Sequence, residues 1–277
     1  MSELQSLVYQ LLDICAEAGE AICRLYHSPE AGEYRSKGDE SPLTQADLAA
    51  HRILQAGLEA LPEQLPVLSE ESGECEVADR QSWPRYWLVD PLDGTKEFLA
   101  RTGQFTINVA LIDAHRPVLG IVYLPLEQSA YAGVPGSSAQ HYQRDGERWR
   151  GEAIATRSLQ RNRPMVVLAS RRHRGARLEE CLDWLQQRWG ELERRDSGSA
   201  LKFCRLAAGE GDFYPRFARC CEWDTAAGQA VVEAAGGQVL GMDGKPLRYN
   251  LRDDLYSRPF YAVADPADAI WKQLLSR

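Results

Sequence analysis

The stretch Trp87-Leu88-Val89-Asp90-Pro91-Leu92-Asp93-Gly94-Thr95 carries two carboxylates off the end of an apolar run. Tyr86 to Val89 reads as a short buried strand. Pro91 cannot donate to a central ladder, so the strand is expected to stop at Asp90. Gly94 then permits an unusual backbone bend. Two carboxylates on a tight loop leaving a buried strand are unfavourable for folding alone, because desolvated charges need partners. A hard cation answers that cost. Carboxylate and carbonyl oxygens suit magnesium, which keeps several waters and shares its shell with phosphate.

Other acids sit in similar places. Val67-Leu68-Ser69 reads as a brief strand and runs into Glu70-Glu71. A Glu pair is ordinarily a solvated surface pair, yet two strand ends bearing acids would bring Glu70 beside Asp90. Thr44 is a candidate N-cap for a helix over 46–61, with Asp47 in its first turn. Asp47 reads equally as dipole complementation or as a metal or water ligand. Glu222-Trp223-Asp224-Thr225-Ala226-Ala227-Gly228 opens a helix to Ala235, stopped by Gly236-Gly237. Asp224 reads as its N-cap or as a fourth ligand.

Clustered, Glu70, Asp90, Asp93 and Asp224 would hold two or more divalent cations about 3.5–4 Å apart. The Leu92 carbonyl would complete one shell. Thr95, with the amides of Gly94 and Thr95, would face a phosphate at a helix start. Asp47, Thr95 and Glu71 are candidates to orient or deprotonate an attacking water.

Around this centre, residues 3–27 show helical amphipathic spacing, ended by Ser28-Pro29. A polar loop over 37–44 follows. The runs 105–112, 118–124 and 129–134 predict an antiparallel meander, with a turn at 113–117. Residues 135–163 are polar, and the boundary between an N-terminal unit (1–158) and a C-terminal unit (159–277) is placed there. Beyond it come a strand over 165–169, the Ser170–Gly175 loop with His173, and helices over 176–189 and 199–208. A strand over 211–216 and a closing helix over 266–275 complete the pattern. Arginines crowd 157–195 without a lysine; they suit phosphate contacts or a solvated helix face.

The net charge of −8 argues against general nucleic-acid binding. No apolar run is long enough to span a bilayer, and the start shows no leader pattern. A cytoplasmic protein is expected, with any membrane association peripheral, on the cytoplasmic face of the inner membrane. Cys15, Cys23, Cys75, Cys181, Cys204, Cys220 and Cys221 make an odd count without a C-x-x-C pair. Reduced, mostly buried thiols are expected, with no zinc site or disulfide framework.

A D-x-D-G-T phosphatase loop, with a nucleophilic first Asp, does not fit. The spacing here is D-x-x-D-G-T, and the motif lies a third of the way along. The chain instead resembles the inositol monophosphatase superfamily of lithium-sensitive, magnesium-dependent phosphatases. The matching signatures are Ser41-Pro42-Leu43-Thr44-Gln45-Ala46-Asp47, Leu68-Ser69-Glu70-Glu71, Trp87 through Thr95, and Glu222 through Gly237. Gly198-Ser199-Ala200-Leu201-Lys202-Phe203-Cys204 and Tyr214-Pro215-Arg216 favour its bacterial 3′(2′),5′-bisphosphate nucleotidase branch, which acts in sulfur metabolism. The resemblance spans about residues 5–265.

The resemblance implies an α/β (α+β) fold, a layered α/β/α/β/α sandwich of the sugar phosphatase and inositol monophosphatase type. It implies two or three Mg2+ ions held by Glu70, Asp90, Leu92, Asp93 and Asp224, with Asp90 bridging and Asp47 reaching the third. Thr95 with Asp47 would activate water for in-line attack without a phosphoenzyme, and Glu71 is a lesser candidate. Glu70, Leu92, Asp93, Gly94, Thr95 and Asp224 would meet the phosphate, with Lys202, Arg216 and the 170–174 loop towards the nucleoside. The implied partner is a small nucleotide bisphosphate, taken by a monomer or homodimer. Two departures bear on substrate detail. Ala218-Arg219-Cys220-Cys221 stands where Gly-Pro-Thr is frequent, and Ala200 where a second serine is common. The alternatives are an inositol or sugar monophosphatase on the same scaffold, or a non-catalytic nucleotide- or cation-binding regulator.

Overall fold

A computed structural model describes residues 3–36, 42–73, 77–170 and 175–276 of the chain. Residues 37–41 of the polar loop, Cys75, and residues 171–174 with His173 lie outside the described residues.

Two long helices form first along the chain: α1 (Glu3–Tyr26) and α2 (Gln45–Glu59). Between them a small ladder pairs β1 (Arg35–Ser36) with β2 (Pro42–Leu43). A seven-stranded sheet follows: β3 (Val67–Ser69), β4 (Arg85–Asp93), β5 (Thr106–Asp113), β6 (Arg116–Leu124), β7 (Ser129–Val134), β8 (Ser138–Asp145) and β9 (Arg148–Ala153), in that spatial order. β3 pairs parallel with β4, and every later neighbour is antiparallel. The short helix α3 (Thr95–Leu99) interrupts the run after β4.

The second sheet has the order β11-β10-β12-β14-β13, built from β10 (Met165–Ala169), β11 (Leu192–Asp196), β12 (Phe213–Arg216), β13 (Gln238–Gly241) and β14 (Phe260–Val263). Four helices accompany it: α4 (Ala176–Trp189), α5 (Leu201–Ala207), α6 (Ala226–Ala234) and α7 (Ala269–Leu275).

Alternation along the strands sorts these elements into layers, because successive side chains point to opposite faces. Trp87, Val89, Val109, Leu111, Ile121 and Tyr123 pack against α1 and α2. Leu88, Ala110, Ile112 and Val122 face the other way, towards α5 and α6. Those helices are sandwiched, since Val166, Leu168, Tyr214, Phe260 and Ala262 of the second sheet join the same core. Val167, Phe213 and Val263 pack outward on α4 and α7. The sequence of layers is α/β/α/β/α, as the resemblance implied.

The middle layer is tight. A Cβ on Gly120 of β6 would come near Ala227 O of α6, and one on Gly133 of β7 would reach 2.5 Å from Val231 Cα. Glycine at these positions lets the α6 backbone lie directly on the sheet, which sets where the start of α6 stands.

Three local expectations differ from the structure. β4 does not stop at Asp90 but continues through Pro91 to Asp93, with a register shift between Asp90 and Asp93. Pro91 is tolerated because it lies in that register shift, where neither β3 nor β5 has a paired partner for it. The polar stretch after 135 contains the β8–β9 hairpin, and Leu-Glu-Arg-Arg-Asp forms β11. Several of the arginines there serve structure: Arg157 and Arg163 both pair with the buried Asp212, at 2.7 and 3.1 Å.

Candidate metal centre and active site

The acids converge where β4 runs out beneath the start of α6. Asp90 points to the same face as Leu88, into the middle layer, and is 2% exposed. Carboxylate oxygens of Asp90, Asp93 and Asp224 all lie within 4.8 Å of one another. Glu70 continues the β3–β4 pairing, its N–H donating to Val89 O at 3.1 Å. That places Glu70 next to Asp90, as the strand-end argument anticipated, and its charge acts on both Asp90 and Asp224.

Each aspartate is oriented before any ligand arrives. Asp90 Oδ1 accepts the Leu92 N–H at 3.0 Å. Asp93 Oδ2 accepts Ala200 N–H at 2.7 Å and Asn108 Nδ2 at 3.3 Å, and Asn108 is itself held by the Thr106 hydroxyl at 3.0 Å. Asp224 Oδ2 accepts the Cys221 N–H at 3.0 Å. Asp224 therefore does not cap α6. Thr225 occupies the cap position, and its hydroxyl donates back to Glu222 O instead. The Asp224 side chain is turned towards the other acids, where a cap would have turned it along the helix.

Burial raises the Asp90 carboxyl well above the usual range, and the charges of Glu70, Asp93 and Asp224 add to it. Asp93 is raised by burial, against the pull of Lys202. Asp224 is pushed up to about 8, by burial and then by Asp93 and Glu70. Such a cluster repels itself, and a hard divalent cation relieves both causes at once. The donor set is all oxygen, which fits magnesium or manganese and not a thiolate zinc site. The residues present therefore fit a divalent metal centre.

Asp47 and Thr95 form a second arrangement beside it. Asp47 is 1% exposed and closes a capping box on α2. Its Oδ2 accepts the Thr44 N–H at 2.7 Å and the Thr44 hydroxyl at 2.5 Å. Its Oδ1 remains for the Thr95 hydroxyl, 3.2 Å away. Thr95 Oγ1 is equally 3.2 Å from Leu92 O, so one proton serves two acceptors. Gly94, at φ +96°, makes the turn between them, and a Cβ there would sit 3.0 Å from Gln104 O. Glu71 is not in the three-aspartate group; its N–H donates to Ser69 Oγ at 3.3 Å.

A cleft of about 120 Å3 opens between Asp93 and Asp224, room for a phosphate group. Lys202 and Arg216 both line it. Lys202 Nζ donates to Ser197 O at 3.2 Å and Ser199 O at 2.6 Å, and burial lowers its ammonium to about 8. Arg216 braces its own turn, donating to Ala218 O at 3.1 Å and Arg219 O at 3.2 Å. The wall continues over Ser170, Tyr214 and Arg216 into a more apolar hollow of about 420 Å3, with Leu178, Pro215 and Phe217 on its sides.

Sequence reasoning gave no site role to Lys96, Glu97 or Ser199, which all line the cleft. Glu97 lines it and raises Asp93, and its position two residues beyond Thr95 on a helical turn was the available signal. Ser199 lines it with a buried hydroxyl that has no hydrogen-bond partner among the described residues, on a backbone at φ +38°. That strained geometry leaves no trace in residue type.

Comparisons with known proteins bear on the family and the fold. The model of the inositol monophosphatase family matches residues 3–270. An Escherichia coli K12 protein named 3′(2′),5′-bisphosphate nucleotidase CysQ is 43% identical over 254 residues, 91% of this chain and 97% of that one. The crystal structure of CysQ from Bacteroides thetaiotaomicron, described as a bacterial member of the inositol monophosphatase family, is 36% identical. It superposes with a TM-score of 0.81 over 95% of this chain and 98% of that one. An inositol monophosphatase from Zymomonas mobilis shares the fold at a TM-score of 0.75, with 23% identity over 100% of this chain and 98% of that one.

Proposed function

This chain belongs to the inositol monophosphatase family, and from that premise we propose that it is a metal-dependent phosphomonoesterase converting adenosine 3′,5′-bisphosphate to AMP and phosphate. The observation that carries the substrate is the 43% identity, over nearly all of both chains, to a protein named as a bisphosphate nucleotidase.

In this reading Asp90, Asp93 and Asp224, with Glu70 and the Leu92 carbonyl, would hold two magnesium ions, and Asp47 would reach towards a third. When bound, the ions supply positive charge opposite the phosphate oxygens and acidify a nearby water. The chain's own residues would place an attacking water and take its proton. Thr95 gives its hydroxyl proton to Asp47 Oδ1, which leaves its lone pairs free to accept one from water. Thr44 keeps Asp47 in position while this happens. Glu71 is the second candidate base. Gly94 and Thr95 flank the phosphate, and the hollow beside Phe217 receives the nucleoside. Lys202 and Arg216 offer positive charge to the remaining phosphate.

The same reading divides the chain at residue 158, with the C-terminal unit contributing Asp224 and Lys202 to a site held mainly by the N-terminal one. It also places the protein in the cytoplasm, peripheral at most to the inner membrane, as a monomer or homodimer. Cys15, Cys23, Cys181, Cys204, Cys220 and Cys221 are free thiols, which suits a reducing compartment. No helix among the described residues is long and apolar enough to cross a membrane.

The test is phosphate release from adenosine 3′,5′-bisphosphate and inositol 1-phosphate side by side, with magnesium, with and without lithium. Preference for the nucleotide and inhibition by lithium are expected. Preference for the inositol ester would move the chain to the monophosphatase reading. No turnover of either would favour a regulator.

A further inference from the structure

A second cavity, of about 400 Å3, lies away from the three aspartates. Its size is that of a small-ligand site. In a chain of net charge −8, its wall carries Arg116, Lys245, Arg248, Arg252 and Arg258. These come from two segments: Arg116 starts β6, and the other four lie along the single connection between β13 and β14. Arg116, Lys245, Arg248 and Arg258 are exposed. Lys245 and Arg258 have no ion pair or side-chain hydrogen bond among the described residues. Arg248 donates only to the Ala114 carbonyl, at 3.1 Å.

Two acids share the wall, and each accepts a backbone N–H. Glu222 is 2% exposed and accepts the Asn250 N–H at 2.7 Å. Asp243 Oδ1 accepts the Lys245 N–H at 3.1 Å. Arg252 is already paired with Asp254 at 3.4 Å, which leaves Arg116, Lys245, Arg248 and Arg258 facing the two acids. Like charges gathered around one cavity repel one another, and here Lys245 and Arg258 have no ion pair among the described residues. Pro246, Leu247 and Leu251 add an apolar side, and Leu251 is 55% exposed.

From this convergence we infer that the cavity is a second anion site, separate from the catalytic cleft, which takes a small organic phosphate. The cations hold the phosphate group and Leu251 meets the organic part. The site is not remote from the chemistry. Its loop is paired with the segment that carries Asp224, through Glu222 N–H to Leu255 O at 2.8 Å and Ser257 N–H to Cys220 O at 2.9 Å. The inference does not depend on the substrate assigned above.

The test is calorimetric titration of the whole chain, freed of divalent metal, with inorganic pyrophosphate and separately with phenylphosphonate. One equivalent of each is expected to bind, more weakly as salt is raised. The surface double variant Lys245→Ala/Arg258→Ala should weaken both at least tenfold while keeping the wild-type unfolding midpoint and basal phosphatase activity. Lys202→Ala, in the catalytic cleft, should leave both unchanged. Leu251→Ala should weaken phenylphosphonate several-fold and pyrophosphate not at all. No binding, binding lost in Lys202→Ala, or binding indifferent to the double variant would overturn the site. An equal effect of Leu251→Ala on both probes would overturn the organic class of ligand.

Discussion

The Thr95 hydroxyl stands 3.2 Å from Asp47 Oδ1, across 48 residues of chain, while the other oxygen of Asp47 is fastened to Thr44. One carboxylate thus both closes the capping box of a helix and accepts the Thr95 hydroxyl's hydrogen bond. Folding and chemistry are joined at this group and can be separated by substitution. Thr95→Ala should lower kcat by about 100-fold or more, the size of a lost proton relay. Its unfolding midpoint in urea should stay near wild type. Thr44→Ala should do something different: lose about 1 kcal/mol of stability from the cap and lower kcat less. Steady-state kinetics with urea unfolding on both variants checks the pair. Equal effects on stability would show that Thr95 is structural.

The three aspartates make the metal-free protein sensitive to pH. The folded Asp224 carboxyl is pushed up to about 8 by burial, Asp93 and Glu70, whereas an unfolded aspartate titrates near 3.9. The folded chain therefore holds the proton more tightly. The stability this contributes is full below about pH 4 and is lost as pH rises through about 8. Asp90 and Asp93 shift in the same direction. Thermal midpoints measured without divalent metal should fall between about pH 5 and pH 8, and magnesium should restore more at the upper end. Asp224→Asn should flatten the metal-free curve.

Asp93→Asn removes a crowded charge while keeping an oxygen for the Ala200 N–H. Its metal-free stability should equal or slightly exceed wild type. Its activity should fall sharply, and magnesium should no longer raise its melting temperature. Unchanged turnover would contradict the metal assignment.

Gly120 should matter far from any ligand. A Cβ there meets Ala230 Cβ at 2.8 Å and Ala227 Cα at 2.9 Å, and backbone does not yield cheaply. Gly120→Ala should destabilise by roughly 1–3 kcal/mol from overpacking. Because α6 must move, Asp224 shifts with it, and the magnesium concentration for half-maximal activity should rise. Denaturation and magnesium titration of the same preparation check both.

Phe217 tests the nucleoside side. It edges the apolar hollow, with Arg177 5.2 Å from its ring centre. Phe217→Leu should raise KM for adenosine 3′,5′-bisphosphate roughly tenfold, the scale of a lost base–aromatic contact. KM for p-nitrophenyl phosphate, which has no base to place, should stay unchanged. A parallel rise for both esters would mean the substitution disturbs the cleft as a whole.

Local chemistry alone settled much of this protein. The apolar spacing of α1, the Thr44 cap of α2, the meander from β5 to β7 and the Gly236-Gly237 stop after α6 all follow from neighbouring residues. Acids at two adjacent strand ends were legible for the same reason, since Glu70 and Asp90 each close an apolar run. The β8–β9 hairpin lacks an apolar pattern because β9 is an exposed edge strand and β8 beside it is only partly buried. Only tertiary structure decided that Asp224 faces Asp90 and Asp93 instead of capping its helix, that Pro91 sits inside a strand, and that Ser199 is strained into the cleft. Those outcomes depend on how closely α6 lies on the glycines of β6 and β7, a distance set by packing between segments far apart in the chain.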